Sequence, residues 1–179
     1  MKIYLLLALT LVMSACGAPE KPESSFLTEI QQIEDSLQKI TGDQNIDAKL
    51  FRELQLRSAE KHIALYRAFP DSKNAATSLD KVQNIYSGME NYLLAAQWTD
   101  TLINKYPKYK NRALVLESQA LAYDAFIQPR DSSAVRLYYS MLLNEFPGMD
   151  KEKRKGIERR LEHNALNFEE YIEFQMMHP

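Results

Sequence analysis

Three stretches decide the fold of this chain: IALYRAFP (63–70), DTLINKYP (100–107) and YSMLLNEFP (139–147). Each is an amphipathic run closed by an aromatic-proline pair, namely Phe69-Pro70, Tyr106-Pro107 and Phe146-Pro147. The residue before a proline is pushed out of the α region, so a helix is expected to end at each pair. Pro107 follows Pro70 by 37 residues, and Pro147 follows Pro107 by 40. Self-similarity at such a period marks an array of helix pairs, each too small to bury its apolar face without its neighbours.

The offsets after the prolines sharpen this reading. Asn74 and Asn111 lie four residues after Pro70 and Pro107; Ala76 and Ala113 lie six after, Leu79 and Leu116 nine after, Tyr86 and Tyr123 sixteen after. After Pro147 the register decays, with Gly156 and His163 at the last two offsets. Upstream, Phe26, Ile30, Ile33, Leu37 and Ile40 form one helical stripe. Ser25 is the expected N-cap of that helix and Gly42 its stop. A longer helix is expected from Asp47 to Phe69, and others at Asn91–Tyr106, Ser132–Phe146 and Asp150–Glu162. Asn167 with Glu170 three later is a capping-box start for a last helix, Phe168–Met176, expected to cover the final apolar face. The third repeat carries about three extra residues around Gln128–Ser133.

The pattern resembles the tetratricopeptide repeat. With Pro107 as the closing proline of that motif, Leu79, Val82, Tyr86, Tyr92 and Ala95 fall on its apolar and small packing positions, and Leu116 and Tyr123 repeat them. Gln83 and Glu90 stand where the family prefers small residues. The stretch NKYPKYKNRALVLESQALAY (104–123) is similar to periplasmic repeat proteins such as those of the Tol–Pal system and of outer-membrane barrel assembly. The resemblance implies an all-α fold, a tetratricopeptide-like α-solenoid of about three antiparallel helix pairs with a C-terminal capping helix. It also implies a concave groove lined by the first helix of each pair, here Asp80, Asn84, Ser87, Glu117, Leu121 and Asp124. That lining is polar to acidic. A carboxylate clamp of the family's kind needs Lys, Arg and Asn, and only Asn84 fits.

The N-terminus reads as an address. Lys2 precedes a nearly unbroken apolar run from Ile3 to Val12, about half the ~20 residues needed to span a bilayer, and small residues follow. Met13-Ser14-Ala15-Cys16 resembles a bacterial lipobox, which implies cleavage before Cys16 and acylation of that residue. Several acyl chains together anchor stably where one is marginal. Residues 1–15 are then a signal peptide, 16–25 a flexible tether beginning with the lipidated Cys16, and 26–179 the helical domain. Gly17 in place of Asp favours the outer membrane by the same resemblance.

Composition narrows the function classes. The formal net charge is −2, becoming −3 when Lys2 leaves with the signal peptide, against the strong positive charge of a general nucleic-acid binder. The single Cys excludes an intrachain disulfide and any multi-cysteine metal site. The three histidines, His62, His163 and His178, have no ligand-type partner at helical spacing, and no phosphate loop or nucleophile elbow is present. No catalytic residue, metal site or cofactor is expected. The expected role is a scaffold or adaptor for a protein or peptide partner in the cell envelope. The alternatives are a structural subunit of an outer-membrane assembly and a small-ligand or glycan-binding lipoprotein. Tyr138 and Tyr139 are consecutive, so one of them is expected to be exposed. The basic run Lys151–Arg160 is either a solvated helix face or a contact for anionic lipid.

Overall fold

The computed structural model describes residues 21–42 and 46–178; the signal-peptide and Cys16 assignments lie outside them. Among the described residues the fold is all-helical: α1 Glu23–Thr41, α2 Ala48–Ala68, α3 Ala75–Gly88, α4 Tyr92–Lys105, α5 Arg112–Leu121, α6 Ser132–Glu145, α7 Lys151–Glu162 and α8 Phe168–Met177. A π-helical turn, Ala122–Phe126, extends α5.

The three aromatic-proline pairs adopt one conformation. Phe69, Tyr106 and Phe146 have φ/ψ of −135/62°, −127/65° and −123/62°. Each donates its backbone N–H to a leucine carbonyl four residues back, Leu65, Leu102 and Leu142. Those leucines are at most 1% exposed. Burying a leucine contributes roughly 1.5–3 kcal/mol, so every helix end is fastened to the core one turn before it stops. The chain then turns identically twice: Ser72 N–H to Phe69 O and Ala75 N–H to Ser72 O, matched by Tyr109 to Tyr106 and Arg112 to Tyr109. The third turn departs, because the Asp150 carboxylate caps α7 through the Glu152 and Lys153 amides.

Consecutive helices α1–α2, α2–α3, α3–α4 and α5–α6 pack along their lengths, while α4 and α5 touch more sparsely. Leu79, Leu102, Leu116, Val135 and Leu142 form one continuous core with Ile157 of α7. Val82 and Ala95 are buried with it, and Tyr86, Tyr92 and Tyr123 are half-buried, Tyr92 stacked on Phe126 at 4.5 Å. Pro107 is exposed in its turn.

Four expectations need correction. Helix α1 starts at Glu23 with Pro22 as N-cap, three residues inside the stretch expected to be tether. Glu23 favours the first turn through the helix dipole, and its carboxylate accepts hydrogen bonds from Ser72 and Asn74. Next, it is α7, with Ile157 and Leu161, that packs on the last apolar face of α6. Helix α8 instead packs against the π turn and buries Tyr171. The length irregularity of the third repeat includes the π turn at 122–126, upstream of the insertion expected at 128–133. Finally, Tyr138 and Tyr139 are both buried, each 9% exposed. Consecutive helix positions diverge by about 100°, and α6 is covered on more than one side, by α5, the π turn and α7.

Candidate functional site

The residues expected to line a groove are distributed over three settings. Asp80, Asn84 and Ser87 lie on α3. The Asp80 carboxylate accepts the Tyr109 hydroxyl at 2.8 Å and the Gln83 amide at 3.0 Å, and Asn84 donates to the Asp80 carbonyl at 2.7 Å. Burial, then the bond to Asp80, push the Tyr109 phenol up to about 12, so it remains a neutral donor that ties α3 to the α4–α5 turn. Glu117 occupies the same offset from Pro107 as Asp80 does from Pro70, and it too bridges forward, accepting Lys153 Nζ of α7 at 2.6 Å. Leu121 is half-buried beside the π turn.

Asp124 is not available to a groove. It is 1% exposed and accepts Arg130 Nε at 2.8 Å and Arg160 Nε and a terminal nitrogen at 2.7 and 2.6 Å. Arg160 also donates to the carbonyls of His163 and Leu166 and sits 4.6 Å from the Tyr171 ring centre. Arg130 donates to the backbone and side-chain oxygens of Asn164. The π turn causes this placement. Its i→i+5 bond, from Ile127 N–H to the Ala122 carbonyl at 2.8 Å, shifts the register of the side chains that follow.

The basic run is also largely engaged. Lys153 pairs with Glu117, Arg154 with Glu158, Lys155 with Glu152 and Arg160 with Asp124.

A different surface stands out. Between the α2–α3 turn and the α4–α5 turn lies an open recess of about 540 Å³. Its floor is Ala76, Tyr106 and Pro107, and its rim carries Lys73, Lys105, Lys108 and Lys110. All four lysines are exposed, and among the described residues no acidic one lines the recess. Among the described residues none of the four enters an ion pair. The Tyr106 hydroxyl donates to the Pro70 carbonyl and locks one turn to the next. Burial, with Tyr66 and Asp71 nearby, raises the Tyr106 phenol, which keeps that donor protonated.

The next interval of the repeat holds the same recess with other chemistry. Ala113, Phe146 and Pro147 replace Ala76, Tyr106 and Pro107 around a space of about 460 Å³. There Glu145 stands at the offset of Lys105, and Gly148 at that of Lys108. Glu145 is held by Arg112 in a two-pronged pair at 2.5 and 2.9 Å, which lowers the carboxyl and raises the guanidinium. The fold therefore builds the hollow twice; the lysine that lines the second, Lys153, is paired with Glu117, whereas among the described residues the four lysines of the first enter no ion pair. Three of the lysines stand in NKYPKYK (104–110), interleaved with the aromatic-proline pair, and only the fold brings Lys73, 32 residues before Lys105, to the same recess.

No protein-family model, curated protein or solved structure matches the chain.

Proposed function

We propose that this protein is an interaction module of the bacterial cell envelope. In this reading it is anchored by acyl chains on Cys16 at the outer membrane, and its helix pairs stack in the manner of tetratricopeptide repeats. It docks a partner protein and carries out no reaction. The observation that carries the reading is the recess between the first two aromatic-proline turns: a preformed hollow lined by an aromatic-proline pair and by four lysines that enter no ion pair among the described residues. Recognition sites of this type combine apolar contact area with a few placed polar groups. The common backbone conformation of the three turns and the matched offsets after Pro70 and Pro107 support the repeat architecture. The Asp80–Tyr109 hydrogen bond and that from Tyr106 to the Pro70 carbonyl tie the α4–α5 turn to α3 and to the α2–α3 turn, which lowers the ordering needed on binding.

The test is affinity capture from cross-linked envelope membranes, comparing wild type, Lys105→Glu/Lys108→Glu and Gly148→Glu. A Cβ at Gly148 meets nothing within 4 Å, so the last variant is a folded control in the sister recess. A specific envelope protein retained by wild type and by Gly148→Glu, and lost from the double variant, is expected. Identical capture by all three overturns the reading.

A further inference from the structure

From the recess at the Pro107 turn we infer the class of its ligand: an extended acidic segment within a partner protein, with carboxylates on the lysine rim and an apolar side chain on the Tyr106–Pro107 floor. This inference rests on the docking role proposed above. Charge complementarity is the first argument. The chain as a whole is net negative, yet Lys73, Lys105, Lys108 and Lys110 gather at one recess, where among the described residues they enter no ion pair and no acidic residue joins the lining. The acidic groups closest by are occupied or outside it. Glu23 is held by Ser72 and Asn74 and is close enough to Lys73 to feel its charge, Asp80 is held by Tyr109, and Asp71 lies outside the lining, so among the described residues Lys105, Lys108 and Lys110 are the rim cations with no such neighbour.

The second argument is the internal comparison. Packing demands Ala, an aromatic residue and Pro at both recesses, but it does not demand lysine. At the Pro147 recess the offsets of Lys105 and Lys108 carry a paired Glu145 and a glycine, that of Lys110 carries Asp150, and the one lysine of the lining, Lys153, is paired with Glu117. The lysines at the Pro107 recess thus answer to something other than the fold. The third argument is shape. Lysines of two separate turns line one hollow together with Ala76, Tyr106 and Pro107. A flat headgroup layer would meet the rim and leave the floor unused, whereas a peptide strand with alternating side chains reaches both.

The experiment uses the soluble mature chain and a fluorescein-labelled, C-terminally amidated Glu-Glu-Phe-Glu-Glu peptide, read by fluorescence anisotropy. A Gln-Gln-Phe-Gln-Gln peptide is the neutral control, and phosphatidylglycerol vesicles are the lipid control. Binding of the acidic peptide is expected to weaken at least about tenfold in Lys105→Glu/Lys108→Glu, since two exposed charge pairs become repulsions. It should be unchanged in Gly148→Glu and should weaken as salt shortens the screening length from ~10 Å at about 0.1 M to ~3 Å at about 1 M. Both lysines are exposed and enter no ion pair among the described residues, so the double variant retains the wild-type fold, checked by circular dichroism. Equal binding of the neutral peptide, an equal loss in Gly148→Glu, no binding of the acidic peptide, or lysine-dependent vesicle binding without peptide binding each overturns the inference. Partner capture that is lost on charge reversal, without acidic-peptide binding, overturns the ligand class and leaves the docking role standing. Peptide binding without any captured partner has the opposite consequence.

Discussion

Asp124→Ala should cost about 3–5 kcal/mol of folding stability, because it strips the anion from two inward-facing arginines. Asp124 has no exposed side-chain surface, and its partners Arg130 and Arg160 expose only 12% and 5% of theirs. Three hydrogen bonds of 2.6–2.8 Å vanish together. What remains to Arg160 is two backbone carbonyls and the Tyr171 ring, and to Arg130 the two oxygens of Asn164, none of which carries charge. Removing one member of a buried pair leaves the other uncompensated, which is why the cost exceeds that of an ordinary hydrogen bond at about 1 kcal/mol. At about 2–4 °C per kcal/mol for a chain of this size, the midpoint should fall by roughly 6–20 °C. The assay is urea and thermal unfolding followed by far-UV circular dichroism. Asp124→Ala/Arg160→Met should recover much of the loss, since an apolar replacement removes one stranded charge. By contrast Glu117→Lys should cost less than about 1 kcal/mol, because the Glu117–Lys153 pair is more than a third exposed on both sides. An Asp124→Ala loss below about 1 kcal/mol, or one equal to that of Glu117→Lys, would refute the assignment of Asp124 to a buried clamp.

Three further outcomes are expected. Glu90 adopts φ 60°, a left-handed conformation that favours glycine, in the turn between α3 and α4; Glu90→Gly should therefore raise stability by about 1 kcal/mol in the same melts, and a loss of stability would contradict this. His62 is buried, contacts Ser78 Oγ at 3.1 Å and lies 3.7 Å from Glu34, and burial holds its imidazole below the ordinary value despite that carboxylate. The unfolded chain then binds the proton more tightly, so stability should fall as pH drops through about 6.5 and below, and His62→Gln should flatten that fall; an unchanged pH profile in the variant would remove His62 as its source. Cys16→Ala should abolish metabolic labelling with an alkyne fatty acid, and undiminished labelling would show that the lipobox reading is mistaken.

The aromatic-proline pairs were legible because proline acts on the backbone of its neighbour, a local effect that needs no tertiary context. Phe69, Tyr106 and Phe146 accordingly end their helices alike, and the leucines fastened by them are buried. Asn167 was readable as a cap for the same reason, whereas the cap expected at Ser25 lies inside α1, which Pro22 precedes. What escaped the sequence depends on register or on distant partners. A π turn leaves no mark in a 3.6-residue pattern, so Asp124 was assigned to an open face while the chain turned it towards Arg160, 36 residues away. Tyr138 and Tyr139 are both buried because α6 is covered on more than one side, which no single stripe reveals. The start of α1 was missed because Glu23 draws on Ser72 and Asn74, some fifty residues downstream. The lysine recess was hidden differently: its residues are individually ordinary surface lysines, and their number became informative only against the sister recess at Pro147.

The docking role is tested most directly by photo-crosslinking in intact cells, with a photoreactive residue placed at Lys108 or, in the sister recess, at Gly148. A discrete adduct from position 108, absent from position 148 and abolished by adding Lys73→Glu and Lys105→Glu, is the predicted result. Adducts of equal strength at both positions, or none from position 108 in cells that make the protein at normal level, would contradict it.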